Sequence, residues 1–164
     1  MAGAADDFKN EIVNYINSWG ENLEAMVEVN VGARFMGTPR RLDIVVRNKD
    51  NNKYIGVECK VQFTDGTAYE KLSYALDDCM SAPIPAIIAF AGPKIRDDMK
   101  SKLLMSGYGI ELTFDEDENK KRVLKDPNNL FRQRCYIELG LNWFPIATGQ
   151  KIEEQLENLG YKKE

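Results

Sequence analysis

Arg41-Leu-Asp43-Ile-Val-Val-Arg47 and Tyr54-Ile-Gly-Val-Glu58-Cys-Lys60-Val-Gln62 are two apolar runs joined by a polar turn through Asp50-Asn51-Asn52, the pattern of a β-hairpin. Side chains alternate across a pleat, so Gly56, Glu58, Lys60 and Gln62 share one face of the second strand, and Ile55, Val57, Cys59 and Val61 the other. One face reads as core and the other as chemistry. Asp43 is the one charge among Leu42, Ile44, Val45 and Val46. Asp is disfavoured in strands because its carboxylate competes for backbone hydrogen bonds. Three ionisable groups therefore stand where a strand prefers Val.

Composition narrows the chemistry. With 43% hydrophobic and 29% charged residues, the chain has the make-up of an ordinary globular domain. At 164 residues it is long enough for one domain with a sizeable core. Its start, Met1-Ala-Gly-Ala-Ala-Asp-Asp, has neither a basic region nor an apolar run, and no stretch is long enough to span a bilayer, so a soluble, cytoplasmic protein with no membrane partner is expected. The three cysteines, Cys59, Cys79 and Cys135, lack metal-ligand spacing, and reduced thiols are the default. There is no histidine. That removes Ser-His and Cys-His nucleophiles and leaves carboxylates, lysine and a hard, oxygen-loving cation. A net charge of −4 argues against holding nucleic acid by bulk electrostatics but permits a local basic surface. Arg34, Arg40, Arg41, Arg47, Lys49 and Lys53 cluster around the hairpin, while Asp115-Glu-Asp-Glu118 and the C-terminal segment carry much of the acid.

In chain order, Asp6 or Asp7 caps a first helix with Phe8, Ile12, Ile16 and Trp19 on one stripe and Gly20 at its end. Val27, Val29 and Val31 alternate with Glu28 and Asn30 in a first strand. The loop Gly32-Ala-Arg-Phe-Met-Gly-Thr-Pro39 leads into the hairpin, and its Phe35 and Met36 either touch a ligand or plug the core. Thr67-Ala-Tyr-Glu70 has the form of a capping box. The helix it starts runs to about Met80, burying Ala68, Leu72, Ala75, Leu76 and Cys79 and showing Lys71 and Tyr74 on its other side. Ala86-Ile-Ile-Ala-Phe-Ala91 reads as a strand buried on both faces. Gly92-Pro93 opens a further helix with Ile95, Met99 and Leu103 inward, and Ile110-Glu-Leu-Thr-Phe114 is a fifth strand. Beyond it come an acidic turn, the basic residues Lys120, Lys121, Arg122 and Lys125, a helix from Asp126-Pro127 through Tyr136, the apolar stretch Leu141-Asn-Trp-Phe-Pro145, and a last helix over Ile152 to Leu159.

The Asp on one strand and Glu-x-Lys on the next resemble the PD-(D/E)XK nuclease superfamily. Asp43, Glu58 and Lys60 match its three signature positions, and Gln62 matches a glutamine seen in several of its branches. The proline of the name is absent, because Leu42 precedes Asp43. The run Gly66-Thr-Ala-Tyr-Glu-Lys-Leu72 is similar to restriction-type and phage branches. The resemblance implies an α/β fold: a restriction-endonuclease-like αβββαβ core with a mixed central sheet flanked by helices, plus a C-terminal helical extension. The core is placed at residues 1–115, and the extension, packed on the core or on a second subunit, at 116–164.

For function the resemblance implies a metal-dependent endonuclease cleaving DNA. Mg2+ or Mn2+ is the implied cofactor, held by Asp43, Glu58 and the backbone carbonyl of Cys59, with Glu11 of the first helix either reaching the metal or simply solvated. Lys60 would orient water or offset charge, and two neighbouring carboxylates suit the second role better. Gln62 would position water or a phosphate oxygen. Arg34, Arg40, Arg41, Lys71 and Tyr74 are the candidate nucleic-acid contacts. Restriction, homing and phage-type enzymes, a Holliday-junction resolvase and a repair nuclease all stay open within the enzymes. The competing class is an inactive nuclease fold serving as a DNA-binding or assembly module, although such a relative would ordinarily have lost one of the three charged residues. A homo-oligomer, at least a dimer, is expected, since one such site cuts one strand.

Overall fold

The computed structural model describes residues 3–33, 39–63 and 68–149. The readings made for Arg34, Phe35 and Met36, for the Thr67 end of the capping box and for the last helix lie outside them.

Helix α1 (Ala4–Asn17) buries Phe8, Ile12 and Ile16, one residue per turn, and each such anchor contributes roughly 1.5–3 kcal/mol by leaving water. The helix begins before Asp6 and Asp7, so these acids sit in its first turn, where they face the positive end of the helix dipole. Strands β1 (Leu23–Ala33), β2 (Pro39–Asn48) and β3 (Tyr54–Val61) form an antiparallel meander. Helix α2 (Ala68–Ser81) then crosses to β4 (Ala86–Ala91), which lies parallel to β3. Helix α3 (Asp97–Ser106) returns to β5 (Gly109–Glu111), parallel to β4. The sheet is mixed, in the order β1-β2-β3-β4-β5.

Two layers of helix cover this sheet. On one face Phe8, Ile12, Ile16 and Trp19 of α1 and its following turn meet Ile44, Val46, Ile55, Val57, Ile87 and Ala89. On the other, Leu72, Ala75, Leu76 and Cys79 of α2 and Met99 and Leu103 of α3 pack on Ile88 and Phe90. Strand β4 is therefore buried on both faces, as its unbroken apolar run implied. Phe131, Cys135, Tyr136 and Leu139 of α4 (Leu130–Leu139) join the α1 side of this core, and a single turn, α5 (Phe144–Ala147), follows. The expected αβββαβ order and flanking helices are present. Among the described residues no helix is long and apolar enough to cross a membrane.

Three elements differ from expectation. The helix expected from Asp126-Pro127 begins only at Leu130, because Asn128 and Asn129 take left-handed φ values of +57° and +56° just before it. The expected fifth strand divides after β5: Leu112 N–H donates to Phe90 O at 2.8 Å, and the chain then forms β6 (Thr113–Glu116), which pairs with β7 (Arg122–Lys125) in a separate ribbon. A two-stranded ribbon with Phe114 as its one buried side chain leaves little alternation in the sequence. Helix α3 also starts at Asp97 and not at Pro93, because Gly92 adopts φ +116° and turns the chain first.

Candidate active site

The β2–β3 ladder runs from Arg47↔Tyr54 to Ile44↔Val57 and stops there. Beyond it β3 stays with β4, through Glu58↔Ile88, Cys59↔Ala89, Lys60↔Phe90 and Val61↔Ala91, and parts from β2. The backbone N–H groups facing the gap need acceptors, since an unpaired buried N–H is costly. Carboxylates supply them. Asp43 N–H donates to Glu58 Oε1 at 3.0 Å, and Cys59 N–H donates to Asp43 Oδ2 at 2.7 Å. The two acids thus bridge the opened strands reciprocally, each held by the backbone of the other's strand.

Glu58 is only 7% exposed. Burial, and after it the charge of Asp43, pushes its carboxyl up to about 7, against opposing pulls from the Asp43 N–H and from Lys60. Asp78 of α2 pushes in the same direction as Asp43. Burial likewise drives the Cys59 thiol well above its ordinary range, and the contact Cys59 makes with Asp43 is through its backbone N–H. Lys60 follows Glu58 on the same strand and is half-buried. Gln62 is fixed at its main chain: its N–H donates to Ala91 O at 3.1 Å and its carbonyl accepts from Lys94 N–H at 3.3 Å. A Cβ on Gly92 would lie 2.2 Å from that carbonyl, so only glycine lets the two strand ends approach this closely.

The other expected residues are placed differently from one another. Glu11 lines an open groove of about 550 Å³ between α1 and the β6–β7 ribbon, with Asp7, Glu116, Lys121 and Arg122. Arg40 is 5% exposed and donates to Ser81 O at 3.2 Å and to Ser81 Oγ at 2.8 Å. It ties β2 to the end of α2. Arg41 is exposed and paired with Glu28. Lys71 and Tyr74 lie one turn apart on the solvent side of α2. Arg34 is outside the described residues.

Two residues that sequence reasoning missed stand beside the pair. Glu28 of β1 falls between the register pairs Val27↔Ile44 and Val29↔Leu42, hence across from Asp43. Its carboxylate accepts from Lys9 Nζ at 3.1 Å and pairs with Arg41, and Lys9 first and then Arg41 hold it below the usual carboxylate range. The Glu28 hydrogen bond raises Lys9 in turn, and the Asp43 charge adds to that rise. Neither residue carries a local signal, because each reaches the site through β1 register and α1 docking.

Among the described residues no three His, Cys, Asp or Glu side chains converge as a ligand set. The donors present still fit a hard divalent cation. Asp43 and Glu58 are fixed oxygen donors whose joint ionisation is opposed until positive charge arrives, and a small cation such as Mg2+ is ordinarily held by one or two carboxylates plus water and phosphate oxygens.

A family model described as a PD-(D/E)XK nuclease superfamily domain matches residues 6–121. No curated protein matches the sequence. Among solved structures, SfsA of Pyrococcus furiosus in complex with Ca2+ is similar at 15% identity over 74% of this chain and 61% of that one, with a TM-score of 0.44. A protein of unknown function, AF1548, is similar at 12% identity over 69% of this chain and 60% of that one, also with a TM-score of 0.44. The chain spans about three fifths of the length of these two proteins.

Proposed function

The chain belongs to the PD-(D/E)XK nuclease superfamily, and from that premise we propose that it is an endonuclease hydrolysing phosphodiester bonds in DNA with Mg2+ or Mn2+. The observation that carries the reading is the reciprocal insertion of Asp43 and Glu58 into the opened β2–β3 ladder, with Lys60 next on the Glu58 strand. Asp43, Glu58 and the Cys59 carbonyl would hold the metal, which when bound supplies positive charge that polarises the phosphoryl group and offsets charge on the leaving oxygen.

The side chains divide the remaining work. Lys60 brings an ammonium group to the negative charge that builds on the phosphoryl oxygens as water attacks. Gln62, anchored by its main chain to β4, offers an amide to orient that water or a phosphate oxygen. Water oxygen bonds to phosphorus as the bond from phosphorus to the sugar oxygen breaks, water gives up a proton to solvent and the leaving sugar oxygen takes one up, so the side chains have to position and neutralise.

Supercoiled, linear, branched and single-stranded DNAs incubated with Mg2+ test the proposal. At least one is expected to be cut, EDTA is expected to stop the reaction, and Lys60→Ala is expected to slow it on the order of a hundredfold or more in a folded protein. A well-folded Lys60→Ala protein with an undiminished rate overturns the assignment. Binding without cleavage by the wild type favours the non-catalytic module.

A further inference from the structure

We propose that Lys9 is a substrate-binding residue of this site: it takes a nucleic-acid phosphate on the α1 side of the Asp43–Glu58 pair, and Glu28 occupies it until that phosphate arrives. The inference rests on the nuclease reading and adds a residue that the superfamily signature does not contain.

The side chain of Lys9 is 14% exposed, with its ammonium 3.1 Å from Glu28 Oε1 and 3.9 Å from Asp6 Oδ1. Its stem is enclosed while its charged end meets Glu28 of β1 and Asp6 of its own helix. Lys9 comes from α1 and reaches Glu28, which lies across from Asp43, whereas Lys60 comes from β3, two residues past Glu58. A phosphate drawn to the carboxylate pair through a cation would therefore meet a lysine from each layer.

Glu28 supplies an independent observation. It sits inside strand β1 with φ +54°, a left-handed conformation that a Glu in a strand ordinarily avoids. Backbone strain of this kind persists where the surroundings hold it and gathers at binding sites. Here it directs one carboxylate onto two cations, Lys9 and Arg41, across from Asp43. A phosphate diester offers the same anionic oxygens as that carboxylate, so it can replace Glu28 on Lys9 without leaving the ammonium unpaired.

The test uses DNA cut by the wild type, with affinity read by fluorescence anisotropy in Mg2+ on a Lys60→Ala parent. Lys9→Gln is expected to weaken binding about tenfold, equally for duplexes of different sequence, and to lower the slope of log K against log salt by about 0.9. Lys9→Arg should keep both, and Glu28→Gln should tighten binding several-fold, a gain that vanishes when combined with Lys9→Gln. Unchanged affinity and slope in Lys9→Gln overturn the inference, as does a Glu28→Gln gain that survives without Lys9. Should Lys9→Gln fail to fold, Glu28→Gln decides alone: unchanged or weaker binding overturns it. A wild type that neither binds nor cuts any DNA fails the nuclease reading and takes this inference with it, whereas a wild type that cuts beside a Lys9→Gln that binds normally overturns only the role of Lys9.

Discussion

Glu58 sets how the metal-free protein responds to pH. Its carboxyl titrates at about 7 in the folded chain against an ordinary value of 4.5, so between these limits the native state keeps a proton that the unfolded chain has released. Stability from this group is full below about 4.5 and is lost as pH rises to about 7. Glu58→Gln keeps an oxygen for the Asp43 N–H and removes the charge. The variant is expected to gain about 2 kcal/mol over wild type at pH 8 and to show little gain at pH 4.5, as read by denaturant unfolding in EDTA. An equal difference at both pH values would sink this account. Asp43, Glu58 and Lys60 were legible in the sequence because ionisable residues inside apolar strands are conspicuous. Lys9 and Glu28 were not, since a Lys beside a core stripe and a Glu within an alternating strand look like ordinary surface.

The hairpin that carries the site also holds a helix in place. Its turn is closed locally, Asn48 Oδ1 accepting from Asp50 N–H at 3.0 Å and Asn51 Oδ1 from Lys53 N–H at 2.9 Å. The amide nitrogens of the same two residues donate to Leu139 O at 2.8 and 3.0 Å, at the last turn of α4. Asn48 is buried, so Asn48→Ala removes a bond in each direction and leaves donor and acceptor groups poorly matched. A loss of about 2 kcal/mol is expected, which for a chain of this size lowers Tm by roughly 4–8 °C. A melting curve unchanged by the substitution would refute the capping role. The polar turn was readable from its residues, but its second task was not, because the acceptor lies in an element 91 residues away. The β6–β7 ribbon was invisible for a related reason: with one buried side chain its sequence looks like a charged loop.

At the scale of the molecule, the helical layers on both faces of the sheet leave the late apolar stretch only partly covered. Leu141 and Ile146 pack against the α1-side core and Pro145 is buried. Trp143 and Phe144 remain 41% and 58% exposed, edge to face with ring centroids 6.1 Å apart. The sequence showed this stretch as apolar and left it packed on the core or on a second subunit, and it could not divide the stretch between core and solvent because that division depends on where α4 docks. Two exposed aromatic rings together are costly in water and suited to an interface, where aromatic side chains concentrate. The nuclease reading asks for a second copy independently, since one carboxylate pair serves one strand and paired cuts across a duplex call for two sites related by symmetry. A homodimer is therefore expected at micromolar concentration, by light scattering or sedimentation, and Trp143→Ser with Phe144→Ser should shift it toward the 18.7 kDa monomer. If the dimer survives that double substitution, the interface lies elsewhere. A mass near 18.7 kDa both free and on cleavable DNA rejects the dimer and directs attention to nicking or single-strand cleavage, for which one site is enough.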